Sequence, residues 1–221
     1  MDADWVERPP VKLRVGGIVL CGGESRRMGT SKAWLRFGDT YLLERVVRVV
    51  SHAASPIVLA GRHGLELPPI TPAVTVVQDD FEHAGPLAGI ASGMKALRDS
   101  CDAVLVVPCD HPFVSAAVLH RMVQWLGGHA AVVPELEDKL FPTLALYRLD
   151  TLSILEDLLG KNELRAQEFA RQCNPLRIHA GDLADIDPGA RSFSNLNRPV
   201  EYEAALAWSG AALSKGPPCE H

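Results

Sequence analysis

Residues 16–35 read GGIVLCGGESRRMGTSKAWL. An apolar run ends at Gly22-Gly23, and Arg26, Arg27, Gly29 and Lys32 crowd in before the next apolar residues. From Val15 to Leu20 the run lacks polar alternation, the pattern of a strand covered on both faces and therefore of a parallel sheet sheathed in helices. A loop this flexible and this cationic, placed directly after a buried strand, stands where α/β sheets bind their ligands: beyond the carboxyl ends of the strands.

The rest of the chain repeats the theme. YLLERVVRVVSH (41–52) predicts a helix, PIVLAG (56–61) and VTVV (74–77) strands, LAGIASGMKALRDS (87–100) a helix and AVLVVP (103–108) a strand. SAAVLHRMVQWL (115–126) predicts a helix capped by Ser115. Further on, AAVVPE (130–135), FPTLALY (141–147) and PLRIHA (175–180) read as strands, and 148–159, 163–172 and 198–209 as helices. Such alternation, joined by right-handed crossovers, gives a three-layer α/β/α sandwich around a mostly parallel sheet. One domain is expected over 1–221, with its core at about 14–208 and loose ends at 1–12 and 209–221.

Composition narrows the function. A net charge of −5 argues against a nucleic-acid binder that relies on bulk charge, but leaves room for a local basic pocket. The opening MDADWVERPPVKLR is acidic and has no apolar core, unlike a signal peptide, and no apolar run reaches the ~20 residues of a membrane span. The five cysteines are odd in number and include no CxxC pair, so a reduced, cytoplasmic setting without a disulfide framework or zinc knuckle is expected.

The loop at 21–32 cannot be threaded through GxxxxGK[ST] and contains no GxGxxG. It offers the Gly22-Gly23 pair, whose N–H groups can approach an anion without Cβ interference, and the cations Arg26, Arg27 and Lys32. Taken singly, each cation reads as a solvated surface charge. Taken together after one buried strand, they read as a phosphate cradle.

LCGGESRRMGTSK closely resembles the signature LxGGxSxRMGxxK of molybdenum cofactor guanylyltransferases, the MobA-type nucleotidyltransferases. Three further stretches follow that family's pattern in order, over about residues 14 to 206. QDDFEHAGPLAG is similar to its acidic residue followed by GPLAG, and the resemblance makes Asp79 the nucleotide-binding aspartate, with Asp80 as the alternative and Gly85 opening the turn. PCDHP resembles its PCDxP motif, whose aspartate binds metal, here Asp110. Independently, a carboxylate just past the most buried strand, between Pro108 and Pro112, is placed to hold Mg2+, which keeps several waters and bridges phosphate oxygens. Asp110 as a mere helix cap is the bland alternative, but Ser115 already supplies that cap. NLNRPVE is similar to the family ending NxNTPED in Asn195 and Asn197, whereas Arg198 and Val200-Glu201 depart from it. Gly61 departs too, standing where the family often carries a nucleotide-contacting asparagine, which leaves backbone groups or Arg62 for that contact.

The resemblance implies a Rossmann-like fold of the nucleotide-diphospho-sugar transferase type. It also implies a Mg2+-dependent transfer of GMP from GTP to the phosphate of molybdopterin, or of its molybdenum-loaded form, with pyrophosphate released. Leu20, Cys21, Gly22 and Gly23 would receive the nucleotide, Arg27 and Lys32 its phosphates, Asp79 the guanine N1–H and N2 amine, and Asn195 and Asn197 the metal or the cosubstrate. Molybdoenzymes or cofactor-biosynthesis proteins are the expected transient partners, with neither nucleic acid nor membrane involved. A cytidylyltransferase acting on the same pterin and a non-catalytic nucleotide-binding module stand as alternatives. Cys109 invites a third reading, a nucleophile paired with His111. Adjacent positions on an extended chain face opposite ways, however, and the neighbouring Asp110 disfavours a thiolate.

Overall fold

A computed structural model describes residues 13–21, 32–61, 63–64, 66–78 and 85–209. In chain order the elements are β1 (Val15–Leu20), β2 (Arg36–Phe37), β3 (Thr40–Tyr41), α1 (Leu42–Ser51), β4 (Ile57–Gly61), β5 (Thr75–Gln78), α2 (Pro86–Leu97), β6 (Ala103–Pro108) and α3 (Ala116–Trp125). There follow β7 (Ala131–Leu136), β8 (Lys139–Leu140), β9 (Ala145–Arg148), α4 (Leu152–Gly160), α5 (Ala166–Gln172), β10 (Leu176–His179) and α6 (Pro199–Ser209).

The main sheet has the order β10-β7-β9-β6-β1-β4-β5, with β8 hairpinned onto β7. β6, β1, β4 and β5 run parallel, as do β7 and β10, while β9 lies antiparallel between β6 and β7. The expected three-layer sandwich is therefore present, with one reversed strand in its middle. The predicted strand at 141–147 is confined to 145–148, because Phe141 and Leu144 form a turn in which the Leu144 N–H donates to the Phe141 carbonyl.

Period-two alternation sorts the strand side chains between two cores. Val19, Leu105, Val107 and Leu146 meet Val46, Val50, Leu119 and Met122 of α1 and α3 on one face. Ile18, Val58, Val104, Val106 and Tyr147 meet Ile90, Met94, Leu155 and Phe169 of α2, α4 and α5 on the other. Two glycines let helices close onto β1. A Cβ on Gly17 would stand 2.6 Å from Val50 of α1, and one on Gly93 of α2 would stand 2.7–2.8 Å from three carbons of Ile18. A third, smaller core of Phe37, Leu42, Leu196, Ala205 and Leu206 fastens the β2–β3 ribbon to α6.

Because β6, β1, β4 and β5 share one direction, their carboxyl ends at Pro108, Leu20, Gly61 and Gln78 form one rim: Leu20 pairs with both Ala60 and Pro108, and Gly61 with Gln78. Among the described residues, no helix is long and apolar enough to cross a membrane.

Gly93→Ala should destabilise the fold by on the order of 1 kcal/mol, measured by urea unfolding. Overpacking against the fully buried, β-branched Ile18 outweighs the better helix propensity of alanine.

Candidate active site

Chemistry gathers at this rim. Lys32 opens a single 3-10 turn, Lys32–Trp34, that carries the chain from the glycine-rich loop into β2. Its ammonium lies 2.7 Å from Asp110 Oδ2 and 2.8 Å from Asn197 Oδ1, so three stretches far apart in sequence converge on one charge. Both partners of the ion pair are largely enclosed, with side chains 19% and 17% exposed.

Asp110 is clamped on every side. His111, only 4% exposed, places Nδ1 2.9 Å from Asp110 Oδ1. The Asp110 carbonyl accepts from the Leu196 N–H at 3.0 Å, which ties the asparagine stretch to the β6 loop through the backbone. Leu196 is buried in the third core, and Asn195 and Asn197 stand exposed on either side of it. Ser115 accepts from the Val118 N–H at 3.2 Å and caps α3, as expected, so Asp110 is not the cap of that helix.

Burial alone would push the Asp110 carboxyl upward. The hydrogen bond and charge of His111, followed by those of Lys32, outweigh it and hold the carboxyl below its ordinary value. A carboxyl lowered in this way adds stability above its unfolded-state value and loses it as pH falls through the lowered one.

Other sequence candidates fall into place around this pair. The Leu20 carbonyl accepts from the Cys109 N–H at 3.0 Å and the Cys21 N–H donates to the Ala60 carbonyl at 2.8 Å, so both are engaged in the sheet at the rim. Cys21 and Cys109 are both buried, and the neighbouring Cys109 thiol together with burial pushes the Cys21 thiol well up, which suits packing rather than nucleophilic chemistry. His111, the would-be partner of Cys109, is given to Asp110 instead. Gly85 caps α2 at φ 61° and ψ −149°, a backbone region essentially reserved for glycine, with Pro86 in the first turn after it. α2 begins at this turn, so the positive end of its dipole lies at its Gly85-Pro86 start. Gly22, Gly23, Arg26, Arg27, Arg62, Asp79 and Asp80 lie outside the described residues.

The ending NRPVE keeps its helix start by other means. Glu201 takes the N–H groups of Asn197 and Arg198 at 2.7 and 3.0 Å and pairs with Arg198 Nε at 2.7 Å. These backbone donors, and then Arg198, lower the Glu201 carboxyl below its usual range. One residue missed by sequence reasoning is His111 as the clamp on Asp110; nothing short of the fold marks which side chain the imidazole meets.

Comparison with known proteins fits this geometry. The profile of the MobA-like NTP transferase domain matches residues 17–175. The chain belongs to that family. Among relatives, a Chloroflexus aggregans protein named "probable molybdenum cofactor guanylyltransferase" is 30% identical over 91% of this chain and 98% of its own. A protein of the same name from Methanothermobacter thermautotrophicus is 33% identical over 83% and 94%. Molybdopterin-guanine dinucleotide biosynthesis protein A of Archaeoglobus fulgidus, 24% identical, shares the fold with a TM-score of 0.73 over 89% of this chain and 100% of that one. In this MobA-like transferase Lys32 and Asp110, both singled out by the sequence, are in direct contact.

The donor set suits Mg2+. Asp110 Oδ2 and Asn197 Oδ1 already aim at a single cation, the Lys32 ammonium, and a carboxylate joined by an amide oxygen is the hard, sparse set that Mg2+ takes when waters and substrate phosphates complete its shell.

Lys32→Met removes the ammonium partner while Asp110 stays enclosed and keeps its contact with His111. The Asp110 carboxyl should titrate at higher pH, read by its 13C chemical shift; an unmoved midpoint would show that Lys32 does not hold it.

Proposed function

We propose that this chain transfers GMP from GTP to the phosphate of molybdopterin, free or molybdenum-loaded, releasing pyrophosphate and forming a guanine dinucleotide cofactor. The observation that carries this reading is the Lys32 ammonium held between Asp110 and Asn197, two groups from separate family motifs, at the mouth of the sheet. The names of its relatives supply the substrates.

An oxygen of the acceptor phosphate attacks the α-phosphorus of GTP; the new O–P bond forms as the bridging bond to the β-phosphate breaks, and pyrophosphate departs with that electron pair. The attacking oxygen is already ionised at neutral pH, so no side-chain base or nucleophile is needed, and catalysis consists of positioning and charge stabilisation. Lys32 exchanges its protein oxygens for phosphate oxygens as the nucleotide arrives, helped by Arg27 and by the N–H groups of Gly22 and Gly23. Asp79 reads the guanine, and Asn195 and Asn197 steady the acceptor. Asp110, with Asn197 beside it, would hold Mg2+, which supplies the charge that screens the two phosphates from one another. The reaction belongs in the cytoplasm, with the product passed on to molybdoenzymes.

Pyrophosphate release with purified molybdopterin tests the proposal: GTP should serve and CTP should not. Asp110→Ala should abolish transfer with the circular dichroism spectrum unchanged, and wild-type turnover in that variant with Mg2+ present would remove the metal assignment. Lys32→Ala should lower kcat/KM at least ~100-fold, about 3 kcal/mol of transition-state stabilisation. An effect on KM alone would restrict Lys32 to ground-state binding.

A further inference from the structure

The opposite half of the rim carries a polar pair that the mechanism above does not use. Glu135, near the end of β7, has a side chain only 8% exposed, yet among the described residues its carboxylate takes a single hydrogen bond, from Arg177 Nη1 at 3.3 Å. His179 Nδ1 lies 3.8 Å away, beyond hydrogen-bond reach, and that side chain is engaged in capping the following turn with Asp182. A carboxylate can accept about four hydrogen bonds, and burying one with so few is costly. Arg177 is 53% exposed and brings five donors to this single contact.

The register fixes where this pair stands. Val132 of β7 and Leu105 of β6 both face Leu146 of the intervening β9, and β6 and β7 run in the same direction. Three residues further on in each strand, Glu135 is level with Pro108, two strand spacings or about 10 Å away. Asp110 follows Pro108 by two residues. The β7 end at Glu135 therefore borders the active site on the side away from β4 and β5, and Arg177, in register with Val133 two residues back, reaches forward to it. Beside them β7 turns into β8 through Glu137 and Asp138 at positive φ (49° and 61°), the two-residue turn whose twist suits a hairpin.

We propose that Glu135 and Arg177 form the seat for the 2-amino-4-oxo edge of the acceptor's pterin ring: Glu135 accepts from the ring N–H and the exocyclic amine, and Arg177 donates to the carbonyl oxygen. This rests on the reading of the acceptor as molybdopterin. Carboxylate and guanidinium side by side match that edge, two donors next to an acceptor, and a site with a buried acceptor rejects rings that lack the donors. Glu135 and Arg177 thereby decide which acceptor is used, while Lys32 and Asp110 act on the phosphates.

Steady-state kinetics with purified molybdopterin and GTP test the seat. Glu135→Gln keeps the shape but turns an amide N–H toward the ring donors. It should raise KM for molybdopterin at least tenfold while KM for GTP stays within twofold and the melting temperature is kept, and Arg177→Ala should do the same more weakly. A purely structural ion pair would shift both KM values together or neither, and either result overturns the proposal. If Glu135→Gln does not fold, the half-exposed Arg177→Ala carries the test alone. Wild-type protein that forms no guanine dinucleotide would defeat the proposed reaction instead. The seat is then judged by equilibrium binding of molybdopterin, where loss in Glu135→Gln supports it and equal affinity overturns it.

Discussion

The site depends on one enclosed carboxylate. Asp110 stands at the end of the central strands where water is scarce, and an unpaired charge there would be expensive. Lys32 on one oxygen and His111 on the other offset that cost. Lys32 anchors the exit of the glycine-rich loop. The Asp110 backbone, through Leu196, anchors the asparagine stretch. The ammonium and the carboxylate neutralise one another, so neither stands as a bare charge in this enclosure.

The sheet divides the labour along its rim. β1, β4 and β5 border the side expected to take the nucleotide, and α2 follows β5 in the chain. Beyond β6 the reversed β9 opens a second side, bordered by β7, its hairpin and β10. A reaction that joins two phosphate-bearing substrates needs such a geometry, with two seats meeting over one cluster of charge.

Departures from the family pattern are absorbed locally. Arg198 and Glu201 rebuild the start of α6 as a salt-bridged cap, so the exchanged residues leave the asparagine stretch in position. Gly61 pairs with Gln78 as an ordinary strand end and offers no side chain to the rim. Cys21 and Cys109 pack against each other beneath the site, so a sequence neighbourhood suggestive of thiol chemistry serves the core.

The sequence by itself determined the layers, nearly all the elements and the two residues at the centre of the site. Uninterrupted apolar runs, helical periodicity and the Ser115 cap are local signals, and Lys32 and Asp110 sit inside short motifs that follow buried strands. The two-residue strands β2, β3 and β8 are too short for any period to register, and alternation carries no strand direction, so the reversal of β9 was not legible. Only the tertiary structure decided which side chains meet. Lys32 reaches Asn197 across 165 positions and Arg177 reaches Glu135 across 42, and His111 turns toward Asp110 rather than Cys109. The physical reason is that such contacts depend on strand order and register, which are set by how whole faces pack together and leave no mark on the neighbouring residues.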